Sequence, residues 1–339
     1  MPSTATHAAA VEQRPDFVAR QLIHKANPAE VLMTGWRPDG NGGFVASAHW
    51  PASHGCYATG RTAVDPLLLT ETVRQSLPLL CHGAYAVPMG HHLLWDTFSY
   101  ELTPQALASK DRSGPLELHV TCLDLTRRGT RAAALTLLVS VVQGADLLAQ
   151  CTTRLTVQAP AVYQRLRAGR GTPEAVTALP ASAAAAISPS ALGRARHRDV
   201  VLSPAGSDTS WRLRVDTTHP LFFDHPLDHA PGILLLEAAR QAARMLPAPR
   251  RLPVMAMETS FFRYVELDAP CWIEAQPLRL GPDGHRRTVI SLRQNGVEHF
   301  SAVVKLGREP DHRPLPSAQT GARIIPSPAR GNVAVPVRA

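Results

Sequence analysis

Of 339 residues only five are cysteine, and Cys56, Cys81, Cys122, Cys151 and Cys271 stand singly, with no C-x-x-C pair. An odd, scattered set supports neither a disulfide framework nor a structural zinc site. Long apolar runs are also missing: the longest, residues 132–142, is about half of what a membrane span needs. Residues 1–20 hold no hydrophobic h-region, so nothing marks the chain for secretion. There is no G-x-S-x-G elbow and no G-x-x-x-x-G-K-[ST] loop, which leaves a covalent serine mechanism and nucleotide hydrolysis without support. Charged residues make up 18%, against 45% hydrophobic, enough to exclude wholesale disorder. A soluble, cytoplasmic protein that needs no metal and no cofactor is expected.

What is present in excess is positive charge, and it is local. The formal net charge is +8. Residues 160–199 carry six Arg against Glu174 and Asp199, a net +4, and residues 308–339 carry five Arg against Glu309 and Asp311, a net +3. The remainder is close to neutral, so no basic face for duplex DNA is indicated. The basic stretches read as solvated segments, able to steer an acidic partner by long-range attraction.

Composition divides the chain into residues 1–15, small and polar; 16–158, a domain; 159–198, an Ala/Pro/Arg-rich linker; 199–307, a second domain; and 308–339, a proline-rich tail. Both ends are expected to be disordered. The two domains repeat each other. Residues 67–75 read LLLTETVRQ and residues 233–241 read ILLLEAARQ, identical at five of nine positions, with Glu71/Glu237, Arg74/Arg240 and Gln75/Gln241 among them. Glu101-Leu102 is matched with Glu266-Leu267. Each copy ends in two apolar runs around a turn, at Gly144 and at Asn295-Gly296, the latter a strong hairpin signal.

Each unit has one good helix and several strands. Asp65-Pro66 reads as an N-cap with proline at the first helical position, and Pro231-Gly232 opens the second helix. Pro78 predicts a kink or an early end in the first. From Ile233 to Ala243 only Glu237, Arg240 and Gln241 are polar, so the helix is buried nearly all round. Leu116, Leu118, Val120 and Cys122 alternate, as do Trp211, Leu213 and Val215. A central helix enclosed by one antiparallel sheet, twice over, satisfies these signals: an α+β fold of two hot-dog units in tandem.

Residues 219–242, HPLFFDHPLDHAPGILLLEAARQA, resemble the hot-dog dehydratase motif, in which a His precedes a Pro-Gly turn and a Glu follows on the helix. His225 and Glu237 fall in the matching places, although the His is two residues closer to the turn. The whole chain is similar to the A-factor biosynthesis family, tandem hot-dog synthases of γ-butyrolactone and butenolide signals. Leu22-Ile23-His24-Lys25 with Glu30-Val31-Leu32 carries that likeness, as do Asp65 to Leu69 with Glu71, Arg74 and Gln75. Val87 to His91 followed by Trp95-Asp96 belongs to the same pattern. The resemblance implies an acyltransferase that moves a β-ketoacyl group from an acyl-carrier-protein (or CoA) thioester to the hydroxyl of dihydroxyacetone phosphate, the ester then condensing to a phosphorylated butenolide. It implies a carrier protein as partner, no nucleic acid and no membrane. The chain is expected to be a monomer with an internal pseudo-dimer, or a homodimer. A β-hydroxyacyl dehydratase or thioesterase on the same fold and a non-catalytic acyl-ligand sensor are the alternatives.

Acyl transfer to an alcohol needs a base, and a carboxylate on a buried helix has its pKa raised by desolvation and lowered by a neighbouring Arg. Glu237 and Glu71 are therefore the candidate bases, with Glu237→Gln expected to lose turnover and keep the fold. Arg240 and Arg74 offer guanidinium forks to a phosphate monoester. Gln241 and Gln75 are candidate substrate contacts that fit hydrogen bonding to the enclosing sheet better. Gly232 N–H, free at a helix start, is a candidate oxyanion donor that Pro66 cannot match in the first copy. The acyl-transfer site is accordingly expected on the second copy's motif, with Glu71 and Arg74 contributing from the adjacent helix or a second pocket. His225 is placed to orient the substrate carbonyl or shuttle a proton, with His229, His219 and His54 as weaker versions of the same idea. Asp224 and Asp228 either orient His225 or form turns.

Overall fold

Side chains that alternate between core and solvent shape the long antiparallel strands of this chain. In the run 116–120, for example, Leu116, Leu118 and Val120 are all buried. The computed structural model describes residues 16–59, 61–170, 172–177, 187–246 and 252–308. The terminal segments expected to be disordered lie outside these, apart from Arg308, which closes the last strand. The first half contributes β1 (Met33–Pro38), β2 (Phe44–Trp50), β3 (Arg61–Thr62), β4 (His92–Leu102), β5 (Lys110–Asp111), β6 (Gly114–Arg128), β7 (Arg131–Gln143) and β8 (Asp146–Gln158). The second contributes β9 (Leu202–Ser207), β10 (Ser210–Leu213), β11 (Val254–Phe261), β12 (Trp272–Pro277), β13 (His285–Gln294) and β14 (Val297–Arg308). The helices are α1 (Pro66–Gly83), α2 (Pro104–Leu107), α3 (Pro160–Leu166), α4 (Pro173–Thr177) and α5 (Gly232–Met245).

Twelve of the strands form one sheet in the order β1-β2-β6-β7-β8-β4-β11-β14-β13-β12-β10-β9. Read inward from either edge, the two halves repeat the same arrangement, and they meet where β4 pairs antiparallel with β11 through Tyr100↔Met257 and Phe98↔Thr259. This is a tandem hot-dog with a pseudo-twofold axis through the central seam. The β13–β14 hairpin turns on Asn295 and Gly296, both with positive φ (50° and 76°), as the sequence predicts. The Glu101/Glu266 match does not survive: Glu101 pairs within β4, whereas Glu266 lies past the end of β11.

Helices α1 and α5 are the two buried cores. In α5 every residue from Ile233 to Ala243 is buried, and α1 is buried from Leu67 to Cys81 except for Arg74. Asp65 caps α1, accepting a hydrogen bond from Leu67 N–H at 2.9 Å. The helix then runs through Pro78 to Gly83 instead of ending there. A proline inside a helix costs about 3 kcal/mol, which burial of Leu77, Leu79, Leu80 and Cys81 offsets by holding the last turn in the core. Among the described residues no helix is long and apolar enough to cross a membrane.

Candidate active site

The repeated Glu–Arg–Gln triplet builds the same cage in both helices. In α1, Arg74 donates to Glu71 through Nε and Nη2 at 2.7 Å each, and Gln75 Nε2 donates at 2.9 Å. In α5, Arg240 donates to Glu237 through the same two atoms at 2.7 Å each, and Gln241 Nε2 donates at 2.6 Å. Both glutamines also clamp backbone: Gln75 takes Leu32 N–H and gives to Glu30 O, while Gln241 takes Val201 N–H and gives to Asp199 O. Contrary to the substrate-contact expectation, the two amides fasten each helix to the segment ahead of its edge strand.

A further cation completes each cage, and here the halves diverge. Lys25 Nζ lies 3.4 Å from Glu71, and Arg194 stands in its place beside Glu237. Each follows a short 3₁₀ turn, and the residue before it is left-handed: His24 at φ 53° and Gly193 at φ 69°. Arg194 grips both Glu237 oxygens at 2.8 Å and extends Nη1 to Asp65 at 2.7 Å. Glu237, Arg194, Asp65 and Arg240 thus form a saturated buried cluster, every side chain 6% exposed or less. The segment 159–198, read as a solvated linker, therefore supplies two buried arginines, Arg194 here and Arg167 below.

The first-half cage opens on a cleft. A cleft of about 1410 Å³ is lined by Glu71, Arg74, Lys25 and His24 from the first half and by Asp224, His225 and Gly232 from the second. Glu237, Arg240, Gln75 and Gln241 do not line it. The second copy thus contributes its turn and helix start to the cleft lining, and the carboxylate and guanidinium there come from the first. Glu237 fails as a candidate base for a physical reason: each of its oxygens accepts from two guanidinium groups, and none of its lone pairs meets the cavity.

Several groups converge around this opening. Asp224 accepts from Ala26 N–H (2.5 Å) and Asn27 N–H (2.9 Å), which ties the two halves together beside Lys25. His225 is 3.5 Å from Asp224, with its side chain 43% exposed. Pro231 gives α5 no side-chain cap, so its first N–H groups are left for a ligand, whereas Asp65 occupies the same end of α1. Gly232 also has a packing reason, since a Cβ there would lie 2.8 Å from the Trp95 ring. Trp95, Tyr264 and His91 line the cleft, and Trp95 Nε1, Tyr264 hydroxyl and His91 Nδ1 are buried and without partners among the described residues.

Sequence reasoning assigned Asp228 to His225 or to a turn; it belongs to His229, at 2.6 Å from Nδ1. Tyr163 hydroxyl (2.8 Å) and Arg167 Nε (2.8 Å) also bind Asp228, and Arg167 continues to Glu266 at 2.7 Å. His54 and His219 are twins outside the cleft. Nδ1 of each accepts backbone N–H groups two and three residues on, and Nε2 reaches Glu30 (3.2 Å) or Asp199 (3.0 Å). Cys56, Asp199 and His219 bring potential ligand atoms within 4.8 Å of one another. Both His219 nitrogens are already engaged, however, and burial pushes the Cys56 thiol well above its ordinary range.

Charge and burial compete at the open cage. Burial pushes the Glu71 carboxyl up, but the Arg74 and Lys25 charges reverse that and hold it at about 2. His24 is lowered to about 4 by burial and by the neighbouring His82 and Arg74. Between pH 6.5 and 4 the folded chain therefore binds fewer protons at His24 than the unfolded one. Stability falls as pH drops through that window, and Glu71 extends the fall from 4.5 towards 2, on the order of 3 kcal/mol for that group alone. The melting temperature is expected to decline steadily from pH 7 to pH 3, and a flat profile would contradict these placements.

Comparison with known proteins agrees with the tandem hot-dog fold. The family described as the A-factor biosynthesis hotdog domain matches residues 6–159 and 176–306. A 2-oxo-3-(phosphooxy)propyl 3-oxoalkanoate synthase of Streptomyces virginiae is 38% identical over 85% of this chain and 96% of its own length. Synthases of the same description from Streptomyces coelicolor and Streptomyces griseus are each 36% identical, over 87% and 85% of this chain and 93% and 94% of their own.

Proposed function

This chain belongs to the A-factor biosynthesis hotdog family, and from that premise we propose that it is an acyltransferase joining a β-ketoacyl group to the hydroxyl of dihydroxyacetone phosphate. The relatives' description spells out that product, since a 2-oxo-3-(phosphooxy)propyl ester of a 3-oxoalkanoate is dihydroxyacetone phosphate acylated on its hydroxyl. The ester condenses to a phosphorylated butenolide, the precursor of a signalling molecule. The observation that carries the reading is the single cleft on which Glu71 and Arg74 from one half meet His225 and the uncapped start of α5 from the other.

The thioester carbonyl sits at the start of α5, where Gly232 N–H and the helix dipole stabilise the oxyanion that forms as the hydroxyl attacks. His225 orients the carbonyl from the adjoining turn. Arg74 has its Nε and Nη2 fixed on Glu71, and its Nη1 is the donor left to meet the phosphate, with Lys25 beside it. Glu71, ionised and fully paired, works as the anchor of these two cations. The acyl donor is a carrier-protein thioester: exposed Met89, Leu166 and Phe262 line the cleft together with Arg170 and Arg263, an apolar patch with basic company that suits an acidic carrier.

The test is mass spectrometry of a β-ketoacyl carrier-protein thioester incubated with dihydroxyacetone phosphate. A phosphate-containing ester is expected. Free acid or enoyl product with no phosphorylated adduct overturns the reading in favour of a thioesterase or dehydratase, and tight binding without turnover overturns it in favour of a sensor.

A further inference from the structure

With Glu71 and Glu237 both locked in ion pairs, the reaction still needs a group to take the hydroxyl proton. We propose that His24 is this general base, held in one tautomer by a relay through His82 to the Val87 carbonyl; the assignment rests on the acyl-transfer reading above. The relay is short and directional. Val87 O can only accept, so His82 Nδ1, 2.8 Å away, donates to it. In a neutral ring that leaves His82 Nε2 as an acceptor, and His24 Nε2 lies 2.8 Å from it and must donate. His24 Nδ1 is then the lone-pair nitrogen, and no group among the described residues binds it. His24 lines the cleft beside Lys25 and Arg74.

The backbone at this position supports a functional role. His24 is left-handed at φ 53°, a conformation that costs a non-glycine residue about 1–2 kcal/mol. The pseudo-equivalent position in the closed half is Gly193, at φ 69°. The fold therefore accepts glycine here, and the open half keeps a strained histidine where chemistry would use it. Burial and neighbouring cations keep the ring neutral at pH 7, with its lone pair available. The phosphate of the acceptor, arriving beside Arg74 and Lys25, offsets that positive charge and raises the basicity of His24 when the substrate is bound.

The step balances without a further reactant. As the acceptor oxygen bonds to the thioester carbon, its proton passes to His24 Nδ1. The tetrahedral intermediate collapses, the C–S bond breaks, and the departing thiolate takes the proton back from Nδ1. His82 is a positioning residue: it fixes which nitrogen is free and shares the transient positive charge with the Val87 carbonyl.

His24→Gly is the test, because the other half shows glycine fits this turn. The variant is expected to keep its melting temperature within a few degrees while kcat falls about 10²–10⁴-fold, with KM for both substrates little changed. Added imidazole should restore part of the rate, a response that loss of a purely structural contact would not give. His82→Phe should lower kcat about tenfold with no imidazole rescue. His24→Gly with kcat within threefold of wild type overturns the assignment, as does a rate loss that imidazole leaves untouched. Wild-type enzyme run alongside separates the two claims: absence of ester from wild type overturns the acyl-transfer reading itself, whereas ester formed by both at rates within threefold overturns only His24.

Discussion

Glu237→Gln is expected to cost the protein its fold before its chemistry. The substitution removes the negative charge on which Arg194 and Arg240 both converge, leaving two guanidinium groups 6% exposed or less with only Asp65 to balance them. Breaking a buried ion pair from one side costs about 3–5 kcal/mol, because the remaining charge stays buried without compensation. For a chain of this size that corresponds to a fall of roughly 4–7 °C in melting temperature. Activity should track the folded fraction, with KM unaltered in the molecules that remain folded, because Glu237 has no edge on the cleft. Differential scanning calorimetry together with a progress curve at low temperature separates the effects. A stable Glu237→Gln protein with abolished turnover would restore Glu237 as the base.

The second large effect is kinetic and distinguishes the two arginines that the sequence treats as equals. Arg74→Lys keeps the charge but loses the planar fork that holds Glu71 and presents Nη1 to the cleft. KM for dihydroxyacetone phosphate is expected to rise about 10–100-fold, equivalent to roughly 1.4–2.8 kcal/mol, with kcat within about threefold. Arg240→Lys, the same substitution in the closed cage, should leave KM alone and lower the melting temperature instead. Steady-state kinetics on the pair decides it. Equal KM changes in both variants would mean that both cages handle substrate.

Much of the architecture was legible in the sequence, for reasons visible in particular residues. A helix apolar on every side but one, as from Ile233 to Ala243, can only be a core, and the shared Glu, Arg and Gln spacing announced a duplicated unit that the sheet order repeats strand for strand. The capping Asp65 and the Asn295-Gly296 turn are local chemistry, so they too were readable. The choice between Glu71 and Glu237 was not. Identical triplets sit in both helices, and what separates them is a partner more than 40 residues away, Lys25 in one cage and Arg194 in the other. The two partner segments share little: an apolar residue two positions before the cation, Ile23 or Leu192, an alanine just after it, Ala26 or Ala195, an acidic residue five on, Glu30 or Asp199, and a valine six on, Val31 or Val200. Composition then misled: a stretch rich in Ala, Pro and Arg reads as a solvated linker, yet Arg167 and Arg194 are buried by carboxylates that only tertiary structure supplies. Of the kink or early end that Pro78 suggested, the early end does not occur, since burial of the last turn overrides the local cost.

That one cage works while its twin is a structural lock is the claim on which the remaining assignments depend. Titration calorimetry with a β-ketoacyl pantetheine thioether, which cannot transfer its acyl group, measures it directly. One equivalent bound per chain is the predicted result. Two equivalents of comparable affinity would contradict it, because the second would have to enter the cage that Arg194 closes.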